Sequence, residues 1–316
     1  MSAPLRIGTR SSALALWQTE RVRALLAERG IRTERIEIKT TGDVVLDRPL
    51  SQIGSKALFT KQLDDAMLEG RIDAAVHSLK DLPTLMPEGL ALAAVGLRAD
   101  PRDALVGRGP MRWQDIPPNA TVATSSLRRR AQLLRARPDL TIDDIRGNVD
   151  TRLGKLDRSE TWSAIMLASA GLDRLGFGAR IGERLPFDVM LPAPGQGALA
   201  VTVRDDDARS ADLVRSVVHD VGVALAVSAE RGFLNRLEGG CQVPVAAHAD
   251  VEGSTVRLHG RVVSLDGHRM AEGHHVGSAT DVASAAAVGA LLAERLLEEG
   301  AHEILAAIRP APVPEP

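Results

Sequence analysis

One structural unit occurs twice in this chain, and that repetition limits the fold more than any other feature. Leu5-Arg6-Ile7-Gly8 reads as a short strand, Thr9-Arg10-Ser11-Ser12 as a polar turn, and Ala13-Leu14-Ala15-Leu16-Trp17 opens a helical apolar pattern reaching about Glu28. Thr121-Val122-Ala123, Thr124-Ser125-Ser126 and Leu127 to Arg137 repeat the order, with Pro138 stopping the helix. In each copy a serine is a good N-cap, and the amides of the first helical turn can receive an anion. Other segments alternate in the same way. Arg35 to Lys39 reads as a strand, and Phe59, Leu63 and Met67 mark one helix face. Asp73 to Val76 and Ala164 to Leu167 are strands, each leading into a polar or small-residue turn.

Alternating strands and helices predict an α/β fold of two similar lobes with mainly parallel sheets, holding ligand beyond the carboxyl ends of the strands. We expect residues 1–98 with 198–216 to form lobe one and residues 102–191 lobe two. The pattern changes after about Val221, where a helix from Ala224 to Leu237 precedes two or three strands, including Thr255 to Val263. A long helix follows from about Ala279 to Glu299. Residues 221–309 are therefore expected to be a smaller α+β domain, and the proline-rich 310–316 a disordered tail.

Composition narrows the function. The net charge of −2 and the 2% aromatic content argue against a nucleic-acid binder. No apolar run reaches the ~18 residues of a spanning helix, and the N-terminus reads as no secretory signal, so a cytoplasmic protein without a membrane partner is expected. No HExxH, CxxC or carboxylate-rich metal pattern occurs, so no metal is expected.

Arg128, Arg129 and Arg130 crowd a helix start, where the dipole disfavours each cation by ~0.3–1 kcal/mol. With Thr124, Ser125 and Ser126 they read as a clamp for carboxylate or phosphate; the plainer alternative is a solvated basic face. Arg10 beside Ser12 repeats the arrangement. Arg146-Gly147 and Arg152 extend it, and Gly147 permits a tight turn or a close approach to ligand. Lys80-Asp81 at a strand's end suits proton transfer or stabilisation of a cation, against the alternative of a surface ion pair. Pro192-Ala193-Pro194-Gly195-Gln196-Gly197 reads as a hinge between the lobes. The single cysteine, Cys241, lies in a Gly-Gly-Cys-Gln-Val-Pro loop, either as a small buried hydrophobe or as a nucleophile and attachment point.

Taken together, Arg6 to Gln18, Ala75 to Pro83, Thr124 to Arg129, Arg146 to Asn148 and Leu237 to Pro244 closely resemble the porphobilinogen deaminase family, in the family's order and over nearly the whole chain. The resemblance implies two lobes like those of periplasmic binding proteins, and a third domain bearing the cysteine. It implies condensation of four porphobilinogen molecules, with loss of ammonia, into hydroxymethylbilane for tetrapyrrole synthesis. The primer it implies is a dipyrromethane cofactor, one per chain, in thioether linkage to Cys241. Asp81 is then the catalytic acid/base, steadying a cationic azafulvene. Lys80, Thr124, Ser125, Ser126, Arg128, Arg129, Arg146 and Gly147 hold the cofactor. Arg10, Ser12, Lys56, Arg146, Arg152, Arg174 and Gln196 meet the substrate. The resemblance also implies a monomer that can hand its product to the next pathway enzyme. Gln52 stands where many relatives have lysine, Thr161-Trp162-Ser163-Ala164 departs from a Tyr-Asp-Ala pattern, and Arg130 falls at an often non-basic position. Two competing classes are a non-enzymatic two-lobed protein binding an acidic small molecule, and a thiol hydrolase pairing Cys241 with His77, His219 or His248.

Overall fold

The computed structural model describes residues 3–40, 60–237 and 243–308. Lys56, Phe59, Cys241 and the proline-rich tail lie outside them. The first sheet contains β1 (Leu5–Thr9), β2 (Thr33–Glu37), β3 (Ala74–Ser78), β4 (Leu90–Gly96) and β10 (Leu199–Arg204) in the order β2-β1-β3-β10-β4. The second contains β5 (Asp103–Gly107), β6 (Thr121–Ala123), β7 (Thr141–Asp143), β8 (Trp162–Ala168) and β9 (Glu183–Arg184) in the order β7-β6-β8-β5-β9.

Each sheet has four strands running one way and one reversed. β10 is antiparallel to both its neighbours, and β5 is antiparallel to both of its own. The reversed strand is in each case the first one after the chain crosses between lobes, 97–102 outward and 191–198 on return. The two crossings lie side by side, with Ala99 N donating to Gly197 O at 3.1 Å. Gly197 has φ +89°, and a Cβ there would stand 2.4 Å from Ala99 O, so only glycine allows this approach.

The repeated unit folds as its pattern predicts. Ser12 caps α1 (Ala13–Glu28), accepting from Ala15 N at 3.4 Å, and Ser126 caps α3 (Leu127–Ala136), accepting from Arg129 N at 3.4 Å. α2 (Lys61–Leu68) buries Leu63 and Met67 together. Three strand boundaries shift for identifiable reasons. β2 starts at Thr33, not Arg35, because its register is set by the five residues of β1, Leu5↔Thr33 to Thr9↔Glu37. β3 starts after Asp73, whose carboxylate receives Arg6 N at 2.8 Å, and runs on to Ser78 because β10 pairs that far. His77 thus lies within the strand, not in the turn after it. β8 gains a residue at its far end, Ala168, by pairing with Asp103.

Both faces of the second sheet are covered. Leu105, Val122, Leu133 and Met166 pack on one side, and Ala104, Val106, Ile145 and Leu153 on the other, aided by α4 (Val149–Arg158). The first sheet packs Leu5, Ile7, Val76 and Val201 against α1 and α6 (Ala208–Val218). α5 (Ser169–Arg174) follows β8 and approaches α1, where a Cβ on Gly171 would lie 3.7 Å from Leu14.

The third unit starts with α7 (Val221–Arg236), three residues earlier than its apolar spacing suggests because Asp220 caps it through Val223 N at 2.9 Å. An antiparallel meander follows: β11 (Val245–Glu252), β12 (Thr255–Val263) and β13 (Met270–Ser278). α8 (Val282–Leu296), capped by Asp281, and the short α9 (His302–Ala306) complete it. Leu225, Phe233, Val256, Leu258 and Leu292 form its core.

This unit meets lobe one through apolar packing, with Val227 of α7 among Leu79, Leu82, Val95 and Ala200. It meets lobe two through polar contacts, including Arg135 Nη1 on His268 O at 3.2 Å. Glu230 of α7, with no exposure, ties all parts at the crossings. It accepts from Arg98 Nη2 at 2.8 Å, Gly195 N at 2.7 Å and Ala249 N at 2.9 Å. Among the described residues no helix is long and apolar enough to cross a membrane.

Candidate active site

Thr9, Ser78, Ala123 and Ala168 end strands at the same kind of position, the carboxyl end, and the turns after them carry the polar residues singled out above. Lys80 and Asp81 occupy a tight helical turn, Leu79–Asp81, directly after β3. Arg128 and Arg129 start α3, Arg146 and Gly147 lie before α4, and Arg152 is in its first turns.

The arginine run divides. Arg130 is exposed, whereas Arg128 and Arg129 are 5% and 6% exposed, so the solvated-face reading fails for these two. Both grip one fully buried carboxylate that the sequence did not single out. Arg128 Nη1 lies 2.7 Å from Asp103 Oδ2, and Arg129 Nη2 and Nε lie 2.7 and 3.0 Å from Oδ1. Burial alone would raise Asp103, but the two guanidiniums outweigh it and hold the group well below the usual carboxylate range. Two cations against one anion leave one positive charge in excess in a desolvated place.

The remaining cations crowd around that excess. Burial, with Arg129 and Arg128 adding to it against Asp81 and Asp103, pushes Lys80 down to about 8. Burial, Arg129 and Arg146 likewise push Arg152 down to about 10, with Asp81 acting the other way. Asp81, from lobe one, is therefore felt electrostatically by Arg152 of lobe two: the two turns face each other. Arg146 Nη2 is buried without a hydrogen-bond partner. Lys80 and Arg152 are thus cations depressed by burial and by neighbouring cations, and beside them lies an arginine N–H without a partner.

The polar residues have distinct duties. Ser125 Oγ donates to Ile145 O at 2.7 Å and accepts from Ile145 N at 3.1 Å, so its proton is spent joining this turn to the Arg146 loop. Thr124 Oγ1 accepts from Ser126 N at 3.2 Å, and Ser126 and Ser12 accept as caps; all three keep a hydroxyl proton to donate. Gly147 has φ +117°, and a Cβ there would come within 2.6 Å of Thr151 Cγ2. Its carbonyl accepts from Arg152 Nε at 2.8 Å.

Gln196 and Arg174 sit at the crossings. The Gln196 amide nitrogen donates to Asp103 Oδ1 at 3.0 Å and Pro101 O at 2.7 Å, while its oxygen accepts from Lys80 at 3.4 Å. Lys80 of lobe one is thus linked to Asp103 of lobe two. Arg174 Nη2 donates to Gly197 O at 2.7 Å and Leu97 O at 3.1 Å, and its guanidinium lies 5.6 Å from the Trp17 ring centroid. Both residues brace the passage between lobes. Sequence reasoning missed Asp103 and Glu230; the available sign for Asp103 was one acid heading an otherwise apolar strand.

Arg10 is half-buried and lies near His77, whose Nε2 is 3.0 Å from Thr202 Oγ1. Burial, then the Arg10 charge, pushes His77 down from 6.5 to about 4. Between these values the unfolded chain takes up the proton and the fold does not, so this group removes stability as pH falls from 6.5 to about 4, with no further loss below. Chemical denaturation of His77→Gln across that range is expected to show a shallower acid decline than the parent. Equal slopes would show that His77 is not a source of acid sensitivity.

The fold is that of a two-lobed α/β protein with cationic turns gathered at its strand ends, and a third unit held across both crossings by Glu230. The chain matches the family model described as porphobilinogen deaminase, dipyromethane cofactor binding domain, over residues 5–212, and that described as porphobilinogen deaminase, C-terminal domain, over residues 224–298. It is 50% identical to a porphobilinogen deaminase of Geobacter metallireducens over 306 residues, covering 96% of this chain and 94% of that protein. A porphobilinogen deaminase of Syntrophotalea carbinolica is 48% identical over 315 residues, covering 99% and 98%. An ABC transporter periplasmic substrate-binding protein from Coxiella burnetii is similar to it at 14% identity and a TM-score of 0.44, covering 69% of this chain and 93% of that one. The chain belongs to the porphobilinogen deaminase family.

Proposed function

We propose that this chain is a hydroxymethylbilane synthase, a transferase that joins four porphobilinogen molecules head to tail on a dipyrromethane primer, releasing one ammonia per addition and finally, by hydrolysis of the bond to the primer, the linear tetrapyrrole. The observation that carries this reading is the cluster of buried cations around Asp103, with Lys80 and Asp81 reaching it from the other lobe. Each pyrrole unit brings an acetate and a propionate, and that ligand charge is what the cluster lacks.

The residues present fit the primer. Arg128 and Arg129 supply the excess positive charge, the buried Arg146 Nη2 has a hydrogen bond to give, and Lys80, Thr124 and Ser126 offer further donors. Gly147 shapes the loop from which Arg146 reaches in, and Ser125 anchors it. When bound, the dipyrromethane supplies the free pyrrole carbon to which the first substrate unit is joined.

The protein's own part is to bind, orient and move protons. Arg10, Ser12, Arg146 and Arg152 hold substrate carboxylates, with Lys56 joining from outside the described residues. Arg174 and Gln196 set the spacing of the lobes around the growing chain. Asp81 protonates the departing amine and then accepts the proton released at the pyrrole ring, while its charge steadies the cationic states between. Cys241 is the primer's thioether anchor, keeping the product chain bound through successive additions.

Intact mass of the purified protein beside Cys241→Ser tests the proposal. A mass excess equal to two linked pyrrole units, ammonia lost, is expected on the parent alone. A folded parent carrying no excess, made in cells that produce porphobilinogen, would favour a non-enzymatic acid-binding protein instead. The same reading makes the protein a cytoplasmic monomer that can pass its product to the next pathway enzyme. One cysteine in 316 residues suits a reducing compartment. Light scattering should give one species of 33.6 kDa; a concentration-independent dimer would refute the monomer.

A further inference from the structure

Arg261 of β12 is 5% exposed and lies in the third unit, yet its hydrogen bonds lead into the arginine cluster of lobe two. The sheet fixes it first. Arg261 pairs in register with Glu272 of β13, and both its Nε, at 2.8 Å, and its Nη2 donate to Glu272 Oε1. That double attachment determines the direction of the third nitrogen. Nη1 donates to Gln132 Oε1 of α3 at 2.8 Å.

Gln132, itself 2% exposed, is clamped onto one peptide of the returning crossing. Its oxygen accepts from Leu191 N at 2.8 Å, and its nitrogen donates to Leu191 O at 3.0 Å. The same carbonyl accepts from Arg128 Nη1 at 2.7 Å, the nitrogen that also reaches Asp103. A continuous set of hydrogen bonds, buried from Arg261 inward, therefore runs from Glu272 through Arg261, Gln132 and Leu191 to the Arg128 guanidinium. The tether residue Cys241 precedes β11 by four positions, and Arg261 pairs with Ala246 of β11.

We propose that Arg261 is a positioning residue for Arg128, acting through Gln132 and the Leu191 carbonyl, so that the unit bearing the primer's anchor also sets the angle of the guanidinium that holds the primer. This rests on the reading of Arg128 as a primer-binding residue. Misplacing a binding group by a fraction of an ångström leaves the primer bound but out of line for the next addition.

The test uses holoenzyme and the variants Arg261→Met, Gln132→Met and the double variant, with primer content measured by intact mass. Parent protein lacking the primer mass would fail the reading of the site, and this is seen before any variant is made. Given a loaded parent, each single variant is expected to keep its primer while kcat per loaded molecule falls on the order of tenfold. KM for porphobilinogen should stay within about twofold, because the clamp holds primer and not incoming substrate. The double variant should be no slower than the slower single variant, since both cut one connection. Arg261→Lys should recover melting temperature but not kcat, because one ammonium cannot serve Glu272 and Gln132 in the same geometry. Arg135→Ala, at an exposed contact of the same interface, should match the parent. Lower melting temperature with unchanged kcat per loaded molecule, or additive losses in the double variant, would overturn the proposal. If Arg261→Met is insoluble, Glu272→Gln loosens the anchor without removing the arginine, and unchanged kcat there would overturn it as well.

Discussion

Asp81→Asn is expected to lose roughly 10²–10⁴-fold in kcat, the usual worth of a positioned acid/base, while retaining the primer mass. The side chain keeps its size, so the turn after β3 should fold as before. Charge is what changes. Asp81 raises both Lys80 and Arg152, and without it Lys80 moves below its already depressed value of about 8. Any residual activity should therefore fall off on the alkaline side at lower pH than in the parent, because Lys80 loses its proton earlier. Steady-state rates across pH, normalised to primer content, provide the check. Activity within a few fold of the parent would remove Asp81 from the reaction.

The second large effect is expected at a residue that touches no ligand in our reading. Asp103→Asn leaves Arg128 and Arg129 buried with no countercharge, and breaking one side of a buried ionic group typically costs 3–5 kcal/mol. For a chain of this size that is a fall of about 10 °C in melting temperature. A tricarboxylate such as citrate should raise the melting temperature of the variant more than that of the parent, because the released guanidiniums are then open to it. A variant as stable as its parent, or one less responsive to citrate, would show that Asp103 is not the counterion that keeps these arginines in place.

The contrast between Asp81 and Asp103 shows what the sequence makes legible. Asp81 is visible because it sits beside Lys80 at the end of an apolar strand, and a local motif needs no knowledge of distant partners. The two strand–turn–helix units are local in the same sense: serine caps and apolar spacing define them, and both fold as read. Asp103 pairs with residues 25 and 26 positions later and with Gln196 in the second crossing, contacts created by topology alone. The reversed strands β5 and β10 are likewise set by where the chain re-enters each sheet, which apolar patterning does not encode. Ser125 illustrates the remaining gap. Its type suits anion binding or loop anchoring equally, and only the position of Ile145 decides where its proton goes. Gln196 reads as part of a flexible hinge, yet its amide is fully engaged between lobes.

The place of β10 in the first sheet has a consequence for the order in which the molecule is born. All five strands of the second sheet lie within residues 103–184, so that sheet can close as soon as its last strand emerges. The first sheet cannot. Its slot between β3 and β4 stays empty until residue 204 has been made, more than a hundred residues after β4. At the ordinary pace of translation that delay is on the order of ten seconds. Throughout it, the apolar run Ala74-Ala75-Val76 presents an unpaired backbone edge, the kind that recruits other strands. Of the two lobes, the one synthesised first is completed later, and nascent chains stalled between about residues 100 and 200 are where aggregation or chaperone capture should concentrate.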